Sequence, residues 1–361
     1  EDDGDYNTAI GYEALKDQTG VSGETANTAI GWKAGTEITT GIRNTMVGVA
    51  AGGSSLLVDS IVAVGYGAAN GVMTADADGT VAIGKAALNN ISSGIGNTAV
   101  GFEAAKSVTG GDRNTVIGFE ALENGDVSDM TIMGYQAGQS VNSADAAGSV
   151  FIGAFAGDGV TNGQYNVAIG YAALDAETQG DRNTAIGYNA LTDQNGVNGE
   201  VHNTAVGYIA GHNITTGKNN PIVGSEAGQA MTTASSSVAI GRTAGDGITT
   251  GNQNIAIGFG TMNATATGDN NIAIGHNAGN DITSAKTNLI MGYLAGSAIT
   301  TGNENTVVGI ITPDQDIVSN PEKLNPAYLV FNNYELILKW NRSLRFALAV
   351  CTLKNKFKNE L

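Results

Sequence analysis

Few residues of this chain could carry catalytic or metal chemistry. Its three histidines, His202, His212 and His276, have no Cys, Asp or Glu grouping beside them at the spacing of a metal site or a catalytic triad. The single cysteine, Cys351, excludes an intrachain disulfide framework. We therefore predict that the protein is not an enzyme and that it has no catalytic residues, no cofactor and no metal site.

The best candidates for metal ligands are acidic residues in Gly-Asp-Arg-Asn and Gly-Asp-Asn-Asn segments. Asp112, Asp181 and Asp269 each precede an asparagine there, and carboxylate oxygens are suitable ligands for calcium. Calcium-binding β-rolls, however, use an Asp-rich nonapeptide, whereas these segments supply one acid each. We therefore favour solvated turn residues over calcium ligands.

These segments belong to an array of eighteen variants of Asn-Thr-Ala-Ile-Gly. Twelve of the seventeen gaps between successive motif glycines are 17 residues, and the others run from 16 to 20. A fixed period this short indicates a solenoid, with insertions confined to a variable part of each unit. The motif glycines are Gly11, Gly31, Gly48, Gly65, Gly84, Gly101, Gly118, Gly134, Gly153, Gly170, Gly187, Gly207, Gly224, Gly241, Gly258, Gly275, Gly292 and Gly309.

The residues around each motif glycine predict a β-strand. With the glycine as position 0, position −1 is always aliphatic or Met, and −3 is Thr, a branched aliphatic residue, Leu289 or Pro221. This is strand composition with a period of two. Aliphatic residues recur near +7, as at Ile38 and Ile214, and we expect them to form the opposing strand of the coil. The predicted fold is all-β: a parallel β-roll solenoid of about 18 coils with a 17-residue repeat.

Strand alternation also predicts the face that meets other chains. If −1 and −3 fill the roll, positions −2 and 0 lie outside. Position −2 is Ala in eleven copies and apolar in the rest, so the outer strip is small and apolar and must pack against another chain. The predicted interface includes Ala9, Gly11, Ala29, Gly31, Ala185, Gly187, Ala205, Gly207, Ala256 and Gly258.

Asparagine occupies position −4 in thirteen copies, including Asn254 and Asn271. We expect these side chains to stack from coil to coil and to bond the backbone and one another. The motifs resemble the head repeats of trimeric autotransporter adhesins of the YadA-like type, and Ser237 to Gly241 (Ser-Val-Ala-Ile-Gly) is the most similar segment. They are also similar to arrays in bacteriophage tail fibres. The resemblance covers roughly residues 5 to 311 and implies a left-handed parallel β-roll assembled as a trimeric fibre.

Composition agrees with an exposed fibre. The chain has 34 acidic and 17 basic residues, so an acidic surface disfavours nucleic acid as a partner. No apolar run reaches the roughly 18 residues of a membrane helix, so we predict no transmembrane segment. Glu1 leads almost directly into a repeat without an initiating Met, which favours a truncation or processing point at the start.

The sequence changes character after Gly309. We predict a repeat shaft over residues 1–311, a Pro-containing linker over 312–326 and a basic C-terminal segment over 327–361. Apolar residues from Ile337 to Cys351 follow the spacing of an amphipathic helix. This segment could cap or join the trimer, contact an acidic neighbour such as the shaft, or lie on a membrane surface. It does not resemble a β-barrel anchor.

An aromatic row at position +1 is the candidate recognition surface. Aromatic rows can stack on sugar rings, but +1 shares parity with the positions assigned to the core, which favours a corner-filling ladder. The row occurs in eleven copies: Tyr12, Trp32, Tyr66, Phe102, Phe119, Tyr135, Tyr171, Tyr188, Tyr208, Phe259 and Tyr293.

These observations predict a trimeric attachment fibre. The favoured function is the shaft of a phage tail fibre, located in the virion, that presents a host-receptor-binding end to a cell-surface glycan or protein. The alternatives are the head of a bacterial surface adhesin and a purely structural extracellular filament. An ice-binding solenoid ranks third, because the Thr row at −3 is broken by Val, Ile, Leu and Pro and suggests an inward side chain.

Overall fold

The computed structural model describes residues 4–19, 23–55, 57–74, 77–195, 198–309 and 328–329. The chain divides into two compact units, Glu1–Asn203 and Thr204–Leu361. Each unit is a parallel β-solenoid, and each is described by itself below. The predicted linker 312–326 and the predicted helical stripe 337–351 lie outside the described residues.

In unit one, eleven motif copies form three-residue strands. Each strand pairs in parallel, at the same motif position, with the strand of the next copy. The strands are Thr8–Ile10, Thr28–Ile30, Thr45–Val47, Val62–Val64, Val81–Ile83, Thr98–Val100, Thr115–Ile117, Thr131–Met133, Val150–Ile152, Val167–Ile169 and Thr184–Ile186.

The longer repeats of unit one carry additional short elements. Gly4–Asp5 pairs in parallel with Gly23–Glu24, and Gly180–Asp181 pairs in parallel with Gly199–Glu200. A 3-10 turn, Ala144–Ala146, lies in the repeat that follows Gly134. The insertions therefore occupy the variable part of the coil and leave the motif strands in phase.

In unit two, seven motif copies form strands that pair in the same way. Tyr328–Leu329 pairs in parallel with Val307 and Val308. The predicted all-β, parallel solenoid is thus confirmed. The motif strands are Thr204–Val206, Pro221–Val223, Val238–Ile240, Ile255–Ile257, Ile272–Ile274, Leu289–Met291 and Thr306–Val308.

The motif strands bury the side chains that were predicted to lie outside and expose those that were predicted to fill the core. Position −2 is buried in every described motif strand except Thr8–Ile10, whereas −3 and −1 are half-buried or exposed. Ala256, for example, is fully buried between the outward side chains of Ile255 and Ile257. The expectation that −1 and −3 fill the core is therefore wrong.

Limited interior volume explains this inversion. Glycine faces several of the large −2 residues: a Cβ on Gly157 would lie 2.8 Å from the ring of Phe151, and one on Gly52 would lie 2.8 Å from the sulfur of Met46. In most coils the interior is filled by Ala at −2, Ala at +3 and larger side chains at +4 or +7, such as Leu88 and Ile91. Two rows of Ile and Val from the strand would overpack it.

The remaining expectations for the coil are largely confirmed. The backbone N–H of Asn271 donates to Asn254 Oδ1 at 2.9 Å, and Asn271 Nδ2 donates to the carbonyl of Ala285 at 2.8 Å. Both asparagines are fully buried. Most aliphatic +7 residues, such as Ile38 and Ile214, are buried too, but they form no opposing strand among the described residues, where only an isolated bridge joins Ile248 to Ala266.

Candidate functional site

The three histidines lie in unrelated surroundings. His202 Nε2 lies 3.4 Å from Glu200 Oε2, His212 Nδ1 lies 2.7 Å from Asn213 Oδ1, and His276 stacks in the aromatic row. Among the described residues, no group of three or more His, Cys, Asp or Glu side chains is placed to hold a metal ion.

The acidic residues of the Gly-Asp segments bond to the backbone of the preceding coil. Asp181 Oδ1 accepts from the N–H of Gln164 at 2.8 Å, and Asp269 Oδ1 accepts from the N–H of Asn252 at 2.9 Å. The N–H of Asn252, together with the ammonium group of Lys286, holds the pKa of Asp269 below its usual range. Asp112 accepts in the same way. These carboxylates stabilise the corners between coils.

The predicted Ala and Gly interface is wrong for its alanines. Ala29, Ala185, Ala205 and Ala256 are fully buried inside their own coils, so they cannot contact another chain; only Ala9, in the first strand, is exposed. The motif glycines have a different reason for lacking a side chain. A Cβ on any one of them whose surroundings the structure describes would lie within 2.8 Å of the next motif glycine. Glycine here permits close approach between coils of one chain.

The outward face of the motif strands is instead formed by positions −3 and −1. Position −1 is aliphatic or Met in all eighteen copies. Its side chains are half-buried to exposed, with Ile30, Met133, Val223, Ile240 and Met291 between 37% and 42% exposed. We call this surface the outward strand face.

The outward strand face carries no charge. None of its 36 residues is Asp, Glu, Lys or Arg, although charged residues make up 14% of the chain. Unit one has Thr at seven of its eleven −3 positions. Unit two is more apolar, because only Thr204 and Thr306 interrupt the Val, Ile, Leu, Met and Pro of its fourteen positions. Solvated strand faces normally carry charge, so this face has the composition of a contact surface.

The aromatic row borders this face. In unit one, Phe102 and Phe119 stack with ring centroids 4.8 Å apart, and Tyr171 and Tyr188 with centroids 5.4 Å apart. In unit two, His276 lies between the rings of Phe259 and Tyr293, at 5.0 and 5.1 Å. Most of the rings are exposed to between 40% and 64%. Parallel stacking covers the ring faces and leaves the edges in solvent.

This geometry bears on sugar binding. A sugar ring needs a free aromatic face, but the stacked rings cover one another and Lys85 Nζ lies 4.6 Å above the ring of Phe102. The rings stack from coil to coil, but they lie largely exposed, on the same side as the outward positions −1 and −3, so filling of a corner by this row stays a prediction. Phe155, at position +2, also joins the row by edge contacts with Tyr135 and Tyr171, which the sequence did not indicate.

A polar cluster lies where the long repeat after Gly187 adds residues. The guanidinium group of Arg182 bonds to Glu200, and its carbon Cζ lies 5.8 Å from the ring centre of Tyr165. The side chains of Glu200 and His202 are 65% and 43% exposed. Gly199–Glu200 is held in place by pairing with Gly180–Asp181. This corner cluster, Tyr165, Arg182, Glu200 and His202, presents aromatic, cationic and anionic groups on a fixed backbone.

A buried carboxylate escaped the sequence analysis. Glu177 is fully buried at position +7, where most other coils have an aliphatic residue. Its Oε1 accepts from three consecutive N–H groups, those of Thr178, Gln179 and Gly180, at 2.8 to 2.9 Å. Only its departure from the +7 pattern could have revealed it. Because its oxygens are satisfied internally, its role is to hold the corner.

Comparison with protein-family models, curated proteins and solved structures found no match to this chain. Within the described residues, no helix has the length and apolar character needed to cross a membrane. The outward strand face, the aromatic row and the corner cluster are the features of the described residues that bear on function.

Proposed function

We propose that this chain is a non-enzymatic shaft of a trimeric attachment fibre, specifically a phage tail fibre that presents a host-receptor-binding end. The observation that carries the proposal is the in-register pairing of motif strands within each unit, which commits the motif residues to the scaffold. A solenoid lengthens by adding coils that contact only their neighbours. Such an architecture suits a spacer that holds a recognition element away from a particle.

Surface composition supports the same function. The chain carries 34 acidic and 17 basic residues, which favours solubility and disfavours nucleic acid as a partner. The uncharged outward strand face supports assembly of several chains, because a long apolar strip is unfavourable in water. Polar groups for recognition remain at the irregular corners, where Arg182, Glu200 and His202 are exposed. The proposed receptor is a cell-surface glycan or protein.

Localisation tests this proposal directly. Antibodies raised against the chain would be applied to purified phage particles and to bacterial cells, and gold labelling would be imaged by electron microscopy. Labelling along the tail fibres is the expected result. Labelling of the bacterial surface would replace the phage fibre with an adhesin, and labelling of extracellular filaments alone would indicate a structural filament protein.

A second experiment tests attachment itself. Purified protein would be added to host cells before phage, and adsorption would be counted as plaque-forming units. We expect saturable inhibition if the chain contributes to receptor binding. Protein carrying Ala256→Lys is the matched control, since it puts a charge inside the coil and should lose the scaffold. Equal inhibition by the folded and control proteins would show non-specific binding.

A further inference from the structure

We propose that the outward strand face is the contact between copies of this chain, which pack parallel and in register so that each position −1 row meets the same row of a neighbouring copy. This inference rests on the proposed function and adds to it the surface, the partner and the register. It replaces the contact through Ala and Gly that the sequence predicted.

The size of the outward strand face is the first argument. Strands at about 4.8 Å spacing, with a face roughly 10 Å wide over positions −3 to −1, give about 340 Å² in unit two and about 530 Å² in unit one. The largest apolar patches of soluble monomers are roughly 300 to 600 Å². A stable interface covers about 800 Å² on each partner. Unit one alone supplies about two thirds of the area of a stable interface, in addition to what unit two supplies.

The second argument concerns the partner. The face repeats one pair of outward residues per strand, and its −1 row is aliphatic or Met without exception. A partner can exclude water along such a face only if its own side chains recur with the same period. A second copy of the chain has this period, whereas an unrelated globular surface does not.

The third argument concerns direction. The two rows differ, because −1 is uniformly aliphatic or Met while −3 contains Thr in nine copies. Parallel copies around a common axis place like positions together, so that the −1 rows bury one another and the Thr hydroxyls of the −3 row stay near the rim, where water can satisfy them. An antiparallel arrangement would bring unlike coils together.

Cysteine cross-linking tests the face and the register together. In a Cys351→Ser background, Val223→Cys and Met291→Cys would be introduced singly, at opposite ends of the unit two face and at residues that are 41% and 38% exposed. Parallel packing brings each new cysteine close to its own counterpart, so both variants should form disulfide-linked dimers under mild oxidation. Thr250→Cys, on an exposed corner of the same unit, is the matched control.

The expected yield of cross-linked dimer is at least about tenfold higher for the two face variants than for Thr250→Cys. Equal yields in the three variants, or no cross-link in an assembled protein, would overturn the inference while leaving an assembled fibre possible. An antiparallel contact would cross-link only the mixture of Val223→Cys and Met291→Cys, which also overturns it.

A charge variant gives an independent measurement. Ile257→Lys with Ile274→Lys leaves the coil folded because both side chains point outward, and it should reduce the mass in light scattering from that of three chains to that of one, 36.5 kDa. Far-UV circular dichroism would show that the strands persist. An assembly unaffected by the two lysines would contradict the proposed contact. If the cysteine variants cross-link as expected but the protein does not attach to host cells, only the proposed function is contradicted.

Discussion

Gln194 Nε2 donates a 2.5 Å hydrogen bond to Glu177 Oε2 inside the core of unit one, and both residues are fully buried. They occupy position +7 in successive coils, where an aliphatic residue is the rule. Glu177 Oε1 accepts the three N–H groups that follow it in the chain. A buried carboxylate is tolerated here because its own coil and the next one provide hydrogen-bond donors to both of its oxygens.

Replacing Glu177 should therefore destabilise unit one although the new residue fits the repeat pattern. Glu177→Leu removes the acceptor of three backbone N–H groups, that of Gly180 being buried, and of the buried amide of Gln194, and we expect a loss of about 3 kcal/mol in the free energy of unfolding. Glu177→Gln keeps a carbonyl oxygen in place and should lose markedly less. Urea unfolding followed by circular dichroism measures both, and equal losses in the two variants would contradict this account.

A second prediction concerns the stack of motif glycines. A Cβ on Gly258 would lie 2.5 Å from the carbonyl oxygen of Gly275, and the φ angle of Gly258 is +130°. Gly258→Ala must separate two coils in addition to straining the backbone, so we expect it to cost more than about 3 kcal/mol.

Gly96 provides the control for this prediction. Its φ angle is +65°, and no atom lies within 4 Å of a Cβ built on it. Gly96→Ala should therefore cost only the backbone strain, about 1 kcal/mol. Thermal unfolding of the two variants separates steric contact from backbone strain. A Gly258→Ala variant as stable as Gly96→Ala would refute the requirement for close approach between coils.

The architecture of the coil could be predicted from the sequence because it depends on period and turn chemistry. The 17-residue spacing, the glycine at position 0 and the asparagine at −4 are local features, and the structure places Asn254 and Asn271 in the expected stack. The burial of aliphatic +7 residues such as Ile214 also followed from composition. These features need no knowledge of how wide the coil is.

Alternation alone could not predict which side chains of the motif strand face the core, because a period of two does not say which face is inside. The hydrophobic scale favours Ile257 over Ala256 as the core residue, yet the interior accommodates the smaller one. The informative signal was that a large side chain at −2 occurs together with a glycine at +4 of the same coil, as Phe151 does with Gly157. The corner cluster was likewise invisible, since Arg182 and Glu200 lie eighteen positions apart.

A third prediction concerns pH. Asp158 and Asp175 occupy the same position in successive coils, and each is about half buried. Burial, together with the charge of Asp175, raises the pKa of Asp158, and burial raises the pKa of Asp175. A carboxyl group whose pKa is higher in the folded state binds its proton more tightly there. The free energy of unfolding therefore falls as this group ionises. The loss begins near pH 3.8, the pKa of the group in the unfolded chain, and is complete above the raised pKa of the folded state.

Asp158→Asn should consequently be more stable than the parent protein at pH 7. The advantage should shrink as the pH falls and vanish below the unfolded pKa, where both proteins are neutral at this position. Melting temperatures between pH 3 and pH 8 measure this difference. Asp269→Asn is the opposite control, because its lowered pKa predicts destabilisation at pH 7. A difference in melting temperature between Asp158→Asn and the parent that stays constant across the pH range would contradict a raised pKa of Asp158.

The last prediction locates recognition in the irregular corners. Three motif positions have structural roles within the chain. The side chain at −2 fills the core, the asparagine at −4 bonds to the backbone, and the glycine at 0 allows successive coils to approach. The exposed groups that remain on a rigid backbone include Arg182, Glu200 and His202. Replacing these three with alanine should leave the motif strands intact, since surface ion pairs contribute little to stability.

If the corner cluster binds the receptor, the triple variant should lose at least about tenfold in attachment to intact host cells. Arg113 and Asp129 form a similar exposed ion pair in unit one, and replacing both with alanine is the matched control. Trimming residues 192–202 to the common coil length tests the whole insertion, and removal of residues 322–361 tests the basic segment separately. If all variants assemble and attach as well as the parent, the chain serves only as a shaft and another segment binds the receptor.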